Sequence, residues 1–155
     1  MDKKQLNIVL ADDHKIVRQG VRLLLESEPD FHIVGEAANG ADATRLVEQL
    51  KPDVLVVDLK MPGLSGIDVA KRVAASSPNT RVIILSMYSS EAYVLAALEA
   101  GAKGYVLKES SSNELVQAIR HAISGRRYLS PPLSEQSIKT YQKKTSANHQ
   151  DTLAR

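Results

Sequence analysis

Three carboxylates, a hydroxyl and an ammonium stand at the ends of apolar runs in this chain, a set able to hold a cation and take up phosphorus. Leu6 to Leu10 leads to Asp12 and Asp13, Asp53 to Val57 to Asp58, Arg81 to Leu85 to Ser86, and Gly104 to Leu107 to Lys108. Asp12, Asp13 and Asp58 offer the hard oxygen ligands that Mg²⁺ or Mn²⁺ prefers. Two carboxylates about 4 Å apart repel by about 4 kcal/mol at an effective dielectric near 20, and a divalent cation among them relieves that strain. The same ion brings phosphoryl oxygens close to Asp58, which can then act as nucleophile while Lys108 balances their charge. Ser86 alone reads as a turn residue, and only its position recommends it.

These residues meet only if the runs are strands of one parallel sheet, whose carboxyl edge is where open α/β sheets bind ligands. The remaining run, Phe31 to Val34, carries no such terminal residue. Between the runs the periodicity turns helical. Val17, Val21, Leu24 and Leu25 form one face of a first helix, Ala41 to Leu50 a second closed by Lys51-Pro52, and Ile67 to Ala75 a third. Glu91 to Ala100 is a fourth helix ended by Gly101, and Leu115, Ala118, Ile119, Ala122 and Ile123 are the stripe of a fifth, with Gly125 beyond it. Five βα units predict a doubly wound, five-stranded parallel sheet with helices on both faces. The fourth helix is nearly apolar all round, which fits a partner surface or a well-covered helix equally.

Composition excludes several classes. With 43% hydrophobic and 25% charged residues the chain is neither disordered nor membrane-spanning, and no apolar run nears the roughly 20 residues a membrane helix needs. Met1-Asp2-Lys3-Lys4-Gln5 has no apolar signal core behind it, so a cytoplasmic location is expected. Cysteine is absent, which removes thiol catalysis and thiolate metal sites. The loop after the first strand, Ala11-Asp12-Asp13-His14-Lys15, lacks the glycines of a phosphate-cradling loop, which argues against nucleotide or flavin binding. His14, His32, His121 and His149 lack paired ligand spacing and read as surface residues.

The order Asp12-Asp13, Asp58 with Met61-Pro62-Gly63, Ser86, then Tyr105 and Lys108 resembles the receiver domain of bacterial two-component response regulators. Ala11 to His14 and Ala102 to Glu109 most resemble the NarL/FixJ group, whose members usually add a LuxR-type helix-turn-helix. The resemblance spans residues 5 to 125 and implies a flavodoxin-like (βα)5 fold with strand order 2-1-3-4-5. It implies that Asp58 takes a phosphoryl group from a sensor histidine kinase. Asp13, Asp58 and the backbone carbonyl of Lys60 would bind Mg²⁺, with Asp12 acting mainly through a coordinated water. Lys108 and Ser86 would contact the phosphoryl oxygens, and Tyr105 would turn inward as Ser86 moves. Homodimerisation on phosphorylation is implied, through the first and fifth helices or through the fourth helix, fifth strand and fifth helix.

Two departures stand out. Glu109 follows Lys108 where many receivers have proline, so the cis peptide expected in those relatives is not expected here. Ser86 replaces the commoner threonine, which keeps the hydroxyl and loosens its coupling to Tyr105. Lys60 and Tyr88, each two residues beyond a site residue, are placed to screen an acyl phosphate from water. Residues 1 to 125 carry 14 Lys and Arg against 16 Asp and Glu, whereas residues 126 to 155 carry 6 against 2. The boundary therefore falls near Gly125, with 1–125 the receiver and 126–155 a basic linker, of which Leu133 to Tyr141 could form a short helix. DNA contact is expected only through a domain C-terminal to this chain. Two other readings compete: a receiver-like interaction module that works without phosphate, and a metal-dependent phosphohydrolase. The latter generally wants an acid two residues after the nucleophile, where Lys60 cannot serve at neutral pH.

Overall fold

Alternation of β-rich apolar runs with amphipathic helical stripes gives the observed chain order. The computed structural model describes residues 5–110 and 112–153. It comprises β1 (Leu6–Ala11), α1 (Lys15–Glu26), β2 (Phe31–Ala37), α2 (Gly40–Leu50), β3 (Val54–Asp58), α3 (Gly66–Ser76), β4 (Arg81–Ser86), α4 (Glu91–Glu99), β5 (Gly104–Leu107), α5 (Ser112–Ile123), β6 (Tyr128–Leu129) and α6 (Glu135–Leu153). The strands form one sheet in the order β2-β1-β3-β4-β5-β6, every pairing parallel. The fold is the flavodoxin-like one expected, with one correction: a sixth short strand extends the five-stranded sheet.

A parallel sheet covered on both faces needs apolar residues at consecutive positions, and all five residues of β3 are buried. One face packs on α1 and α5 through Ile8, Leu10, Val54, Val56, Ile83, Leu85 and Val106. The other packs on α2, α3 and α4 through Val9, Leu55, Val57, Val82, Ile84 and Tyr105. Gly101 and Gly125, both at positive φ, stand just beyond α4 and α5 as expected of left-handed caps. Lys51, beyond α2, takes φ 46 while its N–H still reaches the Val47 carbonyl.

The stretch after Gly125 is more ordered than its composition suggested. The backbone of β6 pairs with β5, Gly104 opposite Tyr128 and Tyr105 opposite Leu129. Ser130 follows, fully buried. Its N–H donates to the Tyr105 carbonyl at 3.0 Å and its Oγ accepts the Leu107 N–H at 3.0 Å. Leu133 and Ile138 are buried with the α2–α3–α4 core, and α6 packs along α4. The outer face of apolar α4 is thus a covered one, with Leu95 and Leu98 beside Ile138 and Gln142. The cis peptide of the described chain lies at Pro131–Pro132, and the Lys108–Glu109 peptide is trans, as the missing proline led us to expect.

Candidate functional site

Strand register brings the acids together. Ala11 pairs with Val57 and Asp58 with Leu85, so Asp12, one residue beyond β1, stands level with Asp58 at the end of β3. Ser86 pairs with Leu107, which sets Lys108 one position past β5. The shared edge holds carboxylate oxygens of Asp12, Asp13 and Asp58 and a ring nitrogen of His14, all within 4.8 Å of one another. Asp12 and Asp58 are 1% and 5% exposed, so water does little to separate their charges.

Each carboxylate is held differently. Asp12 Oδ1 accepts the His14 backbone N–H at 2.9 Å, and the Asp12 carbonyl accepts Arg18 Nη1 at 2.6 Å. Lys108 Nζ sits 3.2 Å from both Asp12 Oδ2 and Asp58 Oδ2. Asp12 Oδ2 and Asp13 Oδ1 are buried atoms in no well-formed hydrogen bond; the former faces the Lys108 ammonium at 3.2 Å and the latter the His14 ring at 3.1 Å. Burial raises Asp58 above the ordinary carboxylate range, Lys108 pulls it back, and Asp12 adds to the rise. Burial also opposes the charge on Lys108, but Asp58 and Asp12 outweigh it and hold the ammonium above its usual value.

The hydroxyl side is equally built. Ser86 is fully buried and its Oγ accepts the Tyr88 N–H at 2.9 Å, which leaves its single proton to give elsewhere. Tyr105 is fully buried and donates its hydroxyl to the Tyr88 carbonyl at 2.6 Å. Burial pushes the Tyr105 phenol up, the Ser86 hydroxyl opposes this, and Tyr93 adds to it. The ring thus lies inside the fold. Lys60 directs its backbone N–H to Asp58, while its exposed ammonium lies 3.1 Å from Tyr93 Oη.

Comparison with known proteins places this edge in context. The family described as the response regulator receiver domain matches residues 8–120. The chain belongs to that family. Among curated proteins this receiver is 32% identical over 152 residues to the transcriptional regulatory protein DegU of Brevibacillus brevis, covering 98% of this chain and 64% of that one. It is 36% identical over 148 residues to the oxygen regulatory protein NreC of Staphylococcus carnosus, covering 95% and 68%. Among solved structures, a LuxR-family two-component response regulator from Aurantimonas sp. SI85-9A1 aligns with TM-score 0.84 and 41% identity over 90% of this chain and 99% of that one. The isolated REC domain of RcsB from Salmonella enterica serovar Typhimurium, solved with the phosphomimetic BeF3-, aligns with TM-score 0.76 and 30% identity over 83% and 95%. The chain spans between about half and two thirds of the length of the first curated relatives it matches. It is a receiver of the LuxR/NarL type, a signalling protein rather than a classical enzyme.

Three residues around this receiver's site escaped the sequence reading. His14 is exposed as expected, yet its ring touches Asp13. Arg18 fixes the Asp12 carbonyl and pairs with Glu36 at 3.0 Å, itself paired with Arg22, which anchors the loop to β2. Tyr93 captures the Lys60 ammonium. Arg18 was recognisable in principle, lying one turn into α1 after the acids, but Tyr93 stands 33 positions from its partner and had no local signal. His149 falls outside the described side chains.

Proposed function

We propose that this receiver accepts a phosphoryl group on Asp58 from a sensor histidine kinase, in a reaction supported by Mg²⁺ or Mn²⁺. The carrying observation is the pair of buried oxygens Asp12 Oδ2 and Asp13 Oδ1, neither of them in a well-formed hydrogen bond, beside a buried Asp58 that has Lys108 Nζ 3.2 Å away. Such a set of hard oxygens fits a divalent cation, with Asp12, Asp13, Asp58 and the Lys60 carbonyl as its holders. When bound, the ion neutralises phosphoryl oxygens and the acids together. An Asp58 carboxylate oxygen then forms the new O–P bond as the bond from phosphorus to the kinase imidazole nitrogen breaks. The released electron pair takes up a proton from solvent. Lys108, already 3.2 Å from Asp58, shifts to the phosphoryl oxygens, and Ser86 donates its one proton to them. The Ser86 hydroxyl then no longer serves the Tyr105 phenol, so phosphorylation is read by the bonds that Ser86 and Tyr105 make with the Tyr88 backbone and passed along β5.

Incubation with acetyl phosphate and Mg²⁺ is expected to add the mass of one phosphoryl group to the intact protein, and excess chelator to prevent it. An adduct indifferent to the chelator would remove the cation from this reading. The alternative of a receiver-like module working without phosphate leaves the buried acid, hydroxyl and lysine set without a task.

The division into a receiver at 1–125 and a connection at 126–155 leading to a DNA-binding domain is part of the same proposal. So is homodimerisation on phosphorylation. Because β6 covers the β5 edge and α6 covers α4, α1 and α5 are the available surface, with Ile16 and Leu23 of α1 at 84% and 71% exposure. The beryllofluoride complex is expected to sediment as a dimer and Leu23→Arg as a monomer. A variant that still dimerises would move the interface elsewhere.

A further inference from the structure

A second cluster at the mouth of the site is not used by the reaction just described. Lys60 carries its backbone at Asp58 and its ammonium across to α4. There Nζ is 3.1 Å from Tyr93 Oη, 4.9 Å from the centre of the Tyr93 ring and 5.6 Å from that of Tyr88. The two rings tilt against each other with centres 5.4 Å apart. The phenol and the ring faces both favour the charged amine, and the Tyr93 hydroxyl holds the Lys60 ammonium above its ordinary value.

The cluster has a defined place relative to the acyl phosphate. Lys60 follows β3 by two residues and Tyr88 follows β4 by two, and β3 and β4 are neighbours with Asp58 level with Leu85. The Lys60 stem therefore spans from the β3 end to α4 across the gap between Asp58 and Ser86. Tyr93 supplies the fixed end of that span: it lies on a helix and packs against the core beside buried Val94 and Ala97, whereas Tyr88 sits in a loop at 46% exposure. An exposed lysine without such an anchor sweeps through many rotamers and leaves its stem over the site only part of the time.

We propose that Tyr93 is a positioning residue for Lys60, and that this clamp sets the lifetime of the acyl phosphate by keeping the lysine stem over Asp58 against attacking water. The inference rests on phosphoryl acceptance at Asp58. Hydrolysis breaks the O–P bond of the acyl phosphate, with water supplying the oxygen that leaves with phosphorus. Water must reach phosphorus from the side opposite the leaving Asp58 oxygen, and holding the stem on that side is the task the clamp would perform. Tyr93→Phe keeps the ring and loses the hydroxyl, whereas Tyr93→Ala loses both.

The test separates this inference from the reading beneath it. Wild type, Tyr93→Phe, Tyr93→Ala, Lys60→Met and the double variant are each loaded from acetyl phosphate with Mg²⁺, and loading and decay are followed by intact mass, with melting temperature as a check on folding. The clamp predicts normal loading in wild type, Tyr93→Phe and Tyr93→Ala, and decay several-fold faster in Tyr93→Ala. It predicts an intermediate rate in Tyr93→Phe, and no further change when Tyr93→Ala is added to Lys60→Met, because both act through one side chain. Equal decay in wild type and Tyr93→Ala would overturn the clamp while leaving acceptance intact. So would an effect of Tyr93→Ala that persists undiminished in Lys60→Met. Failure of every form to load would overturn acceptance, and the clamp with it.

Discussion

Asp58→Asn is expected to lose phosphoryl uptake by at least about a thousandfold, a loss of more than about 4 kcal/mol of transition-state stabilisation, and to unfold at a higher temperature than the wild type at pH 7. The two effects have one cause. Burial and Asp12 raise Asp58 above the ordinary carboxylate value despite Lys108, so the folded protein holds its ionised form reluctantly. A group raised in the folded state contributes stability below its unfolded pKa, and that contribution is lost as pH rises through the folded one. At neutral pH the wild type carries this cost and a neutral amide does not. The stability advantage of Asp58→Asn should therefore vanish as pH falls below about 4, where an unfolded aspartate also binds its proton. Uptake by the wild type follows the anion, so it should decline with falling pH from a higher starting point than an exposed aspartate would give. Rates of loading from acetyl phosphate against pH, with thermal melts of both proteins, check both signs. A variant less stable than wild type at pH 7 would contradict the assigned electrostatics.

Gly66→Ala is expected to damage the site through the backbone. A Cβ at Gly66 would lie 2.5 Å from the Asp58 carbonyl oxygen and 3.1 Å from the Leu59 Cα, neither of which can swing aside as a side chain would. Gly66 is the first residue of α3, and its N–H donates to the Leu59 carbonyl at 2.9 Å, so the helix start is docked directly on the peptide that carries the nucleophile. Overpacking of this kind costs about 1–3 kcal/mol or more, which for a protein of this size lowers the melting temperature by roughly 2–12 °C. Uptake should fall further than stability does, because relief of the clash displaces Asp58 from Lys108 and the neighbouring acids. Melting curves and loading rates under folding conditions measure the two losses separately. Loading at the wild-type rate in a folded Gly66→Ala protein would show that the Asp58 position tolerates the shift.

The residues at the strand ends were legible because a parallel sheet converts sequence position into spatial position. Four buried strands ending on polar residues can place them nowhere but one edge, and register then decides which are neighbours. Asp12 and Asp58 adjoin through the Ala11–Val57 pairing. The second strand was read only to Val34, since Gly35 and Glu36 interrupt the apolar run. It continues to Ala37 after a shift in register between Ile8 and Val9 of its partner.

What sequence did not reveal depends on contacts between segments with no shared periodicity. Two residues of β6 are too few for a strand pattern, and Ser130 is held by the backbone of β5, to which any sequence contributes the same groups. The tail helix expected at Leu133 to Tyr141, with Leu133, Ile138 and Tyr141 partly buried, is present but starts at Glu135 and runs on to Leu153, and Leu133 and Ile138 are buried in the core beside α4. Lys60 was singled out for its distance from Asp58, but its anchor Tyr93 is set by how the start of α4 meets the loop after β3.

The most direct measurement is chemical mapping of the loaded residue. An aspartyl acyl phosphate is cleaved by borohydride to homoserine, whereas phosphoserine, phosphotyrosine and phosphohistidine are not. After loading with acetyl phosphate and Mg²⁺, followed by reduction and peptide mass analysis, homoserine is expected at position 58 and at no other aspartate. Conversion at Asp12 or Asp13, or phosphate retained on a hydroxyl or a histidine with position 58 unchanged, would contradict the assignment of Asp58 as the acceptor.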